Sequence, residues 1–226
     1  MKKFLVITAV LFGFGALSLA ISPVFTVSAL NSTAVSERIA ARIQSDAPFS
    51  SLAIAAPSIE KPDWYNDVTI TYTVSQNGAT SDLTEFAKLA NETLNDPRGW
   101  SRLGVKFKEV SSGGAFRLIL SQASLLPTYS ASGCSADWSC NVGNSVIINT
   151  DRWNGASDSW NNAGGTLRDY RHMVVNHETG HWLGHDHTSC TAGGTSAPVM
   201  QQQSIDLMGC KFNPWPLESE LWTTRI

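Results

Sequence analysis

The chain reads as an α+β domain: a small mixed sheet, two main helices and a loop-rich C-terminal part. Three observations predict this. Short stretches around Val68–Val74, Val105–Val110, Phe116–Ser121 and Val146–Ile148 alternate or run apolar over strand lengths. Two longer stretches, starting after Ser81 and Thr166, have helical spacing and capping residues. Beyond Gly184 the sequence is punctuated by Gly193-Gly194, Pro198, Pro214 and Pro216, which favour loop.

Taken in order, the first 29 residues have the character of a signal peptide. Lys2 and Lys3 precede an uncharged, mostly apolar run from Phe4 to Ile21, and Val27-Ser28-Ala29 offers small residues for cleavage. Ser18-Leu19-Ala20 is an earlier candidate cut, and an uncleaved membrane anchor is the competing reading of the same run. Residues 30–62, rich in Ser, Ala and Pro, read as a linker or short pro-segment, with the domain proper at 63–226.

Within that domain Val68, Ile70, Tyr72 and Val74 alternate with polar residues, as in a half-buried strand. Ser81 is the expected cap of a helix to about Asn95, with Leu83, Phe86, Ala87, Ala90 and Leu94 on its apolar face. Pro97 and Gly99 stop it. Ser111-Ser112-Gly113-Gly114 separates two further strands, Val105–Val110 and Phe116–Ser121, and Val146-Ile147-Ile148 is short and apolar enough to be buried. Thr166 and Asp169 form a capping pair for a helix from Leu167 to about Gly184.

Composition narrows the partners. The 226 residues are 42% hydrophobic and 15% charged, and eight tryptophans can fill a core. Of 16 basic residues two, Lys2 and Lys3, fall in the signal; 14 remain against 19 acidic, about −5, which gives nucleic acid no footing. Four cysteines in an exported chain favour two disulfides. Three pairings are possible; proximity in sequence favours Cys134–Cys140 and Cys190–Cys210.

The chemistry concentrates in one segment, since all five histidines fall between 172 and 187. On a helix His177 and His181 are one turn apart and share a face, so both imidazoles can reach one ion. Glu178, beside the first, can reach a water there. Gly184 can leave the helix in a left-handed conformation and bring His187 round as a third ligand. Three protein ligands leave the fourth tetrahedral position of Zn2+ open, as in a catalytic site. His185 competes with His187 for the third place. His172 is expected to be solvated. Asp186 reads as a loop carboxylate or a hydrogen-bond partner of a ligand imidazole.

The pattern His177-Glu178-x-x-His181-x-x-Gly184-x-x-His187 resembles that of the metzincin clan of zinc peptidases. The resemblance implies a zincin-like fold, places the third ligand at His187, and implies a methionine in a tight turn beneath the metal. Met200 matches that turn by position, with Met208 the alternative. Several metzincin groups have a tyrosine two residues past this methionine; here Gln202 stands there, either an amide donor to an oxyanion or substrate, or a plain loop residue. Thr93-Leu94-Asn95-Asp96-Pro97-Arg98-Gly99-Trp100, Ala197-Pro198-Val199-Met200-Gln201-Gln202-Gln203 and Cys210-Lys211-Phe212-Asn213-Pro214-Trp215-Pro216 are similar to an uncharacterised secreted actinobacterial family of unknown function with a metzincin-like signature. That likeness spans about Asp63 to Trp215 and implies fold and metal but no substrate.

The function so implied is a secreted or cell-surface zinc-dependent endopeptidase, with one zinc ion, a zinc-activated water and Glu178 as general base. Its partner is a peptide or protein substrate lying along an edge strand, for which Phe116–Ser121 and the segment around Leu125–Tyr129 are candidates. The expected state is a monomer, in contact with a membrane only through an uncleaved N-terminal segment. The rival readings are a non-catalytic, zinc-stabilised binding module of the cell envelope and a hydrolase of a non-peptide amide.

Overall fold

Apolar alternation at Ile70 and Tyr72 builds the first strand, β1 (Val68–Asn77), with both side chains buried. The structure, a computed structural model, describes residues 68–226. The expected signal peptide (1–29), the segment 30–62 and the expected domain start at Asp63 lie outside the described residues.

Strands β2 (Val105–Glu109), β3 (Phe116–Ser121), β4 (Cys140–Val142) and β5 (Ser145–Asn149) join β1 in one sheet of order β2-β1-β3-β5-β4. Four strands are parallel, with Val68 opposite Val105, Val74 opposite Leu118 and Ile119 opposite Ile147. Only β4 runs antiparallel, Cys140 opposite Ile147. Every residue of β5 is buried, as expected of a strand covered on both faces. Successive residues go to opposite sides. Leu118, Leu120, Val146 and Ile148 enter the main core with the helices, while Ile119 and Ile147 pack on Leu126, Cys134 and Cys140.

Helix α1 (Leu83–Leu94) buries Phe86, Leu89, Ala90, Thr93 and Leu94. Its cap is Asp82, not Ser81: the carboxylate accepts from the Thr84 and Glu85 N–H groups, while the Ser81 hydroxyl is taken by Asn154. The buried stripe takes in Leu89 and Thr93, leaving Leu83 and Ala87 half-buried. Two short helices without sustained periodicity, α2 (Thr150–Gly155) and α3 (Asp158–Asn162), are capped by the Asn149 and Ser157 side chains and anchored by buried Trp153 and Trp160. Helix α4 (Leu167–Leu183) begins as the sequence predicts. The Thr166 hydroxyl donates to the Asp169 carboxylate and accepts from its N–H.

Neither expected edge segment is an edge. Parallel pairing on both sides makes β3 an interior strand, and Leu125 to Thr128 belong to a 3-10 turn, Ala123–Thr128, whose Leu126 is buried under the sheet. The exposed edge next to α4 is β4, too short to show a period. Disulfides Cys134–Cys140 and Cys190–Cys210 staple the loop before β4 and the region after α4. Among the described residues no helix is long and apolar enough to cross a membrane.

Candidate metal centre

The last two turns of α4 present His177, Glu178 and His181, and the helix stops one residue short of Gly184. Gly184 adopts φ 107, the left-handed region that favours glycine, and its missing side chain also makes room for Thr224. The reversed chain delivers His187. One ring nitrogen each of His177, His181 and His187 lies within 4.8 Å of the others, and the Nε2 atoms of His181 and His187 are 3.0 Å apart. Tetrahedral zinc at about 2.05 Å from each nitrogen sets ligand nitrogens about 3.3 Å apart. The His181–His187 pair is near that spacing, and the triad could hold a metal ion.

The donor atoms are prepared for it. His177 donates its Nδ1–H to the Val199 carbonyl at 2.8 Å, and His181 donates its own to the His185 carbonyl at 2.8 Å. A carbonyl only accepts, so each ring carries its proton on Nδ1 and leaves the Nε2 lone pair for the ion. Burial, reinforced by the neighbouring His181, pushes the His177 imidazole down to about 3. His181 and His187 are lowered as well, first by burial. Neutral imidazole is the ligating form, and three neutral nitrogens with an open side fit zinc.

His185 is not part of the triad. Its ring turns away, bonds the Trp222 carbonyl through Nε2 at 2.8 Å and lies between Trp100 and Trp222. Asp186 is exposed, and its charge partly opposes the lowering of His181 and His187. The expectation of a solvated His172 is wrong. That residue is 5% exposed, its ring lies 5.0 Å from Trp215, and its Nδ1 is 2.8 Å from the Thr93 hydroxyl. It is off the ligand face as the spacing demands, but that side of α4 packs on α1.

Met200 is fully buried beneath the helix, its sulfur against Gly180 between the two helical ligands, whereas Met208 is exposed. Glu178 is 5% exposed, has no cationic partner among the described residues, and burial alone raises its carboxyl to about 8. It opens with the triad into a cleft of about 630 Å³, whose opposite wall is formed by the disulfide loop with Trp138, Ser139 and Asn141. Gln202 is exposed and lines the cleft, and its side-chain amide has no hydrogen-bond partner among the described residues. Next to it the Ser204 hydroxyl is 2.8 Å from that of buried Tyr170.

One buried carboxylate near the site escapes a reading of the sequence. Glu220 is buried at 4% exposure, and its carboxylate accepts from the N–H groups of Val199, Met200 and Leu217. In sequence it sits in Leu217-Glu218-Ser219-Glu220, indistinguishable from a solvated acid.

Comparison with known proteins gives limited company. No curated protein matches the chain. Among solved structures, archaemetzincin (AmzA) from Methanopyrus kandleri is similar over 71% of this chain and 94% of that one, at 14% identity and a TM-score of 0.39. A family model described as "protein of unknown function (DUF3152)" matches residues 40–209, a span that includes the helix, the three histidines and the turn at Met200. With well over half of its residues matched, the chain belongs to the DUF3152 family.

Proposed function

We propose that this protein is a secreted zinc-dependent endopeptidase in which His177, His181 and His187 hold the metal and Glu178 is the general base. The observation that carries the reading is a buried, unpaired carboxylate opening into the same cleft as three converging imidazoles. A site that only held the fold together would have no use for that acid. Bound zinc would supply Lewis acidity, to a water and to the scissile carbonyl.

The rest falls to the chain's own residues. Glu178 takes the proton of the attacking water and returns it to the departing amine. Its burial keeps bulk water from competing for that proton. Substrate main chain pairs with the free edge of β4, which has β5 on its other side. The Gln202 amide on the rim donates a hydrogen bond to substrate or to the developing oxyanion. Disulfides at Cys134–Cys140 and Cys190–Cys210 suit an oxidising, extracytoplasmic location, and the protein works as a monomer on peptide or protein substrates.

The test is metal analysis of the mature protein with a chelator-sensitive assay on casein and a diverse peptide pool. Parent protein should carry one zinc and lose activity with chelator. Glu178→Ala should keep the zinc and lose about 10²–10⁴-fold in turnover. If that variant digests casein as fast as the parent, Glu178 is not the base. Bound zinc without turnover on any peptide would instead favour the metal-stabilised binding module.

A further inference from the structure

We infer that the segment 217–226 is a strap that positions the metal ligands, with Glu220 as its principal positioning residue. The inference rests on the reading of the triad as a metal site. It concerns residues beyond the 40–209 span of the family model.

The connections run through backbone groups. Glu220 grips both N–H groups of the Val199–Met200 turn, at 2.9 Å each, one per carboxylate oxygen. The Val199 carbonyl in that turn accepts the Nδ1–H of His177. The Met200 carbonyl accepts the N–H of Thr188 at 3.1 Å, tying down the loop residue after His187. Two residues beyond Glu220, the Trp222 carbonyl is 2.8 Å from the ring of His185, and the two rings are 4.0 Å apart. The main-chain carbonyl of that same His185 accepts from His181. Each of the three ligands is therefore held by a backbone group, or its neighbour, that the strap fixes.

The strap is itself anchored on α4 and near β2. Thr223 and Thr224 donate to the Leu183 carbonyl, Arg225 donates to that of Trp182, and Arg102 pairs with Glu218 and donates to the Pro216 carbonyl. A buried carboxylate accepting three N–H groups cannot be replaced by an amide. The glutamine NH2 would face at least one backbone donor with another donor, so the isosteric change breaks the grip without altering volume.

The experiment compares zinc affinity, by chelator competition, in Glu220→Gln, Glu220→Ala and Arg225→Ala, each in the full chain. Thermal unfolding is followed with and without zinc. Both Glu220 variants should bind zinc about 10–100-fold more weakly than the parent, the range seen when partners of metal ligands are removed. The zinc-induced rise in Tm should shrink with them, and the visible spectrum of the cobalt-substituted protein should change. Arg225→Ala, which removes one anchor of the strap but none of the three bonds to Glu220, should weaken binding less than Glu220→Gln does. A Glu220→Gln protein that lowers Tm equally with and without zinc and keeps parental affinity and cobalt spectrum would overturn the inference, leaving Glu220 merely structural. A parent that binds no zinc would instead overturn the metal-site reading beneath it.

Discussion

Replacing Gly180 with alanine sets two effects of opposite sign against each other. Helix propensity favours the change, because alanine in a helix interior is about 0.8–1.0 kcal/mol better than glycine. Packing opposes it. A Cβ at position 180 would fall well inside contact distance of the Met200 sulfur and 2.9 Å from Cζ2 of Trp100. Neither neighbour can withdraw freely. Met200 is fully buried in a turn whose N–H groups are held by Glu220, and the Trp100 indole donates to the Asn176 carbonyl at 2.9 Å. Overpacking of a tight core costs typically about 1–3 kcal/mol, and two simultaneous clashes against anchored groups belong at the upper end. The net is about 2 kcal/mol of destabilisation, or roughly 4–8 °C in Tm for a domain of this size. Thermal unfolding of metal-free parent and Gly180→Ala reads it directly. In a Met200→Ala background the penalty should fall, because the closest clash is gone. A single variant as stable as the parent, or more so, would refute the reasoning that Gly180 is there to admit Met200.

His172 should make stability depend on pH. Burial, then the Arg168 charge, lowers its pKa, with Asp169 and Asp96 opposing and Arg98 adding to the lowering. The unfolded chain takes up the proton near 6.5 while the folded one resists, so stability is complete above about 6.5 and declines as pH falls below it. The fall in Tm between about pH 7.5 and 5 should be smaller for His172→Gln than for the parent, and an equal or larger fall would show that His172 does not carry this dependence. The two disulfides should differ in worth. Cys190–Cys210 spans 20 residues and Cys134–Cys140 spans 6, so replacing each pair by serine should cost about 3 and about 2 kcal/mol respectively in urea unfolding. The reverse order would mean that loop entropy is not what they contribute.

What the sequence made legible is what local physics decides. Thr166 and Asp169 mark the start of α4, Gly184 marks its end, and the spacing between His177 and His181 follows from the helical turn alone. The strands β1, β2, β3 and β5 were visible because their apolar residues follow the pleat. β4 was not. Three residues carry no period, and its place is set by β5 across the turn at Gly143 and by the bond from Cys140 to Cys134. The edge assignment failed for a related reason: strand order depends on which parallel neighbours close on β3, and nothing within Phe116–Ser121 records that. His172 shows the limit of face arguments. Five residues from His177 it points elsewhere, but α4 is buried on nearly every side, so elsewhere is α1 and Trp215 and not water. Glu220 is the strongest case, because only the turn it grips, some twenty residues back, distinguishes it from Glu218, which is exposed.

The charge pattern around the triad explains why one acid in the cleft stands apart. The imidazoles of His177 and His181 donate their one ring N–H to main-chain carbonyls, not to carboxylates, so they are oriented without being made anionic. Three neutral ligands leave the charge of a dication undiminished. Among the described residues three carboxylates bear on the site. Asp186 is exposed, where water and salt screen it. Glu220 is buried, but its oxygens are taken up by three backbone N–H groups beneath the turn. That leaves Glu178, in a low-dielectric wall where Coulomb attraction is strongest and with no cationic partner among the described residues. The same isolation that makes this carboxylate costly to ionise in the metal-free protein makes it the natural counter-charge to a bound dication. An acid placed so, lining the same cleft as the three histidines, is suited to hold a proton taken from water and give it up again.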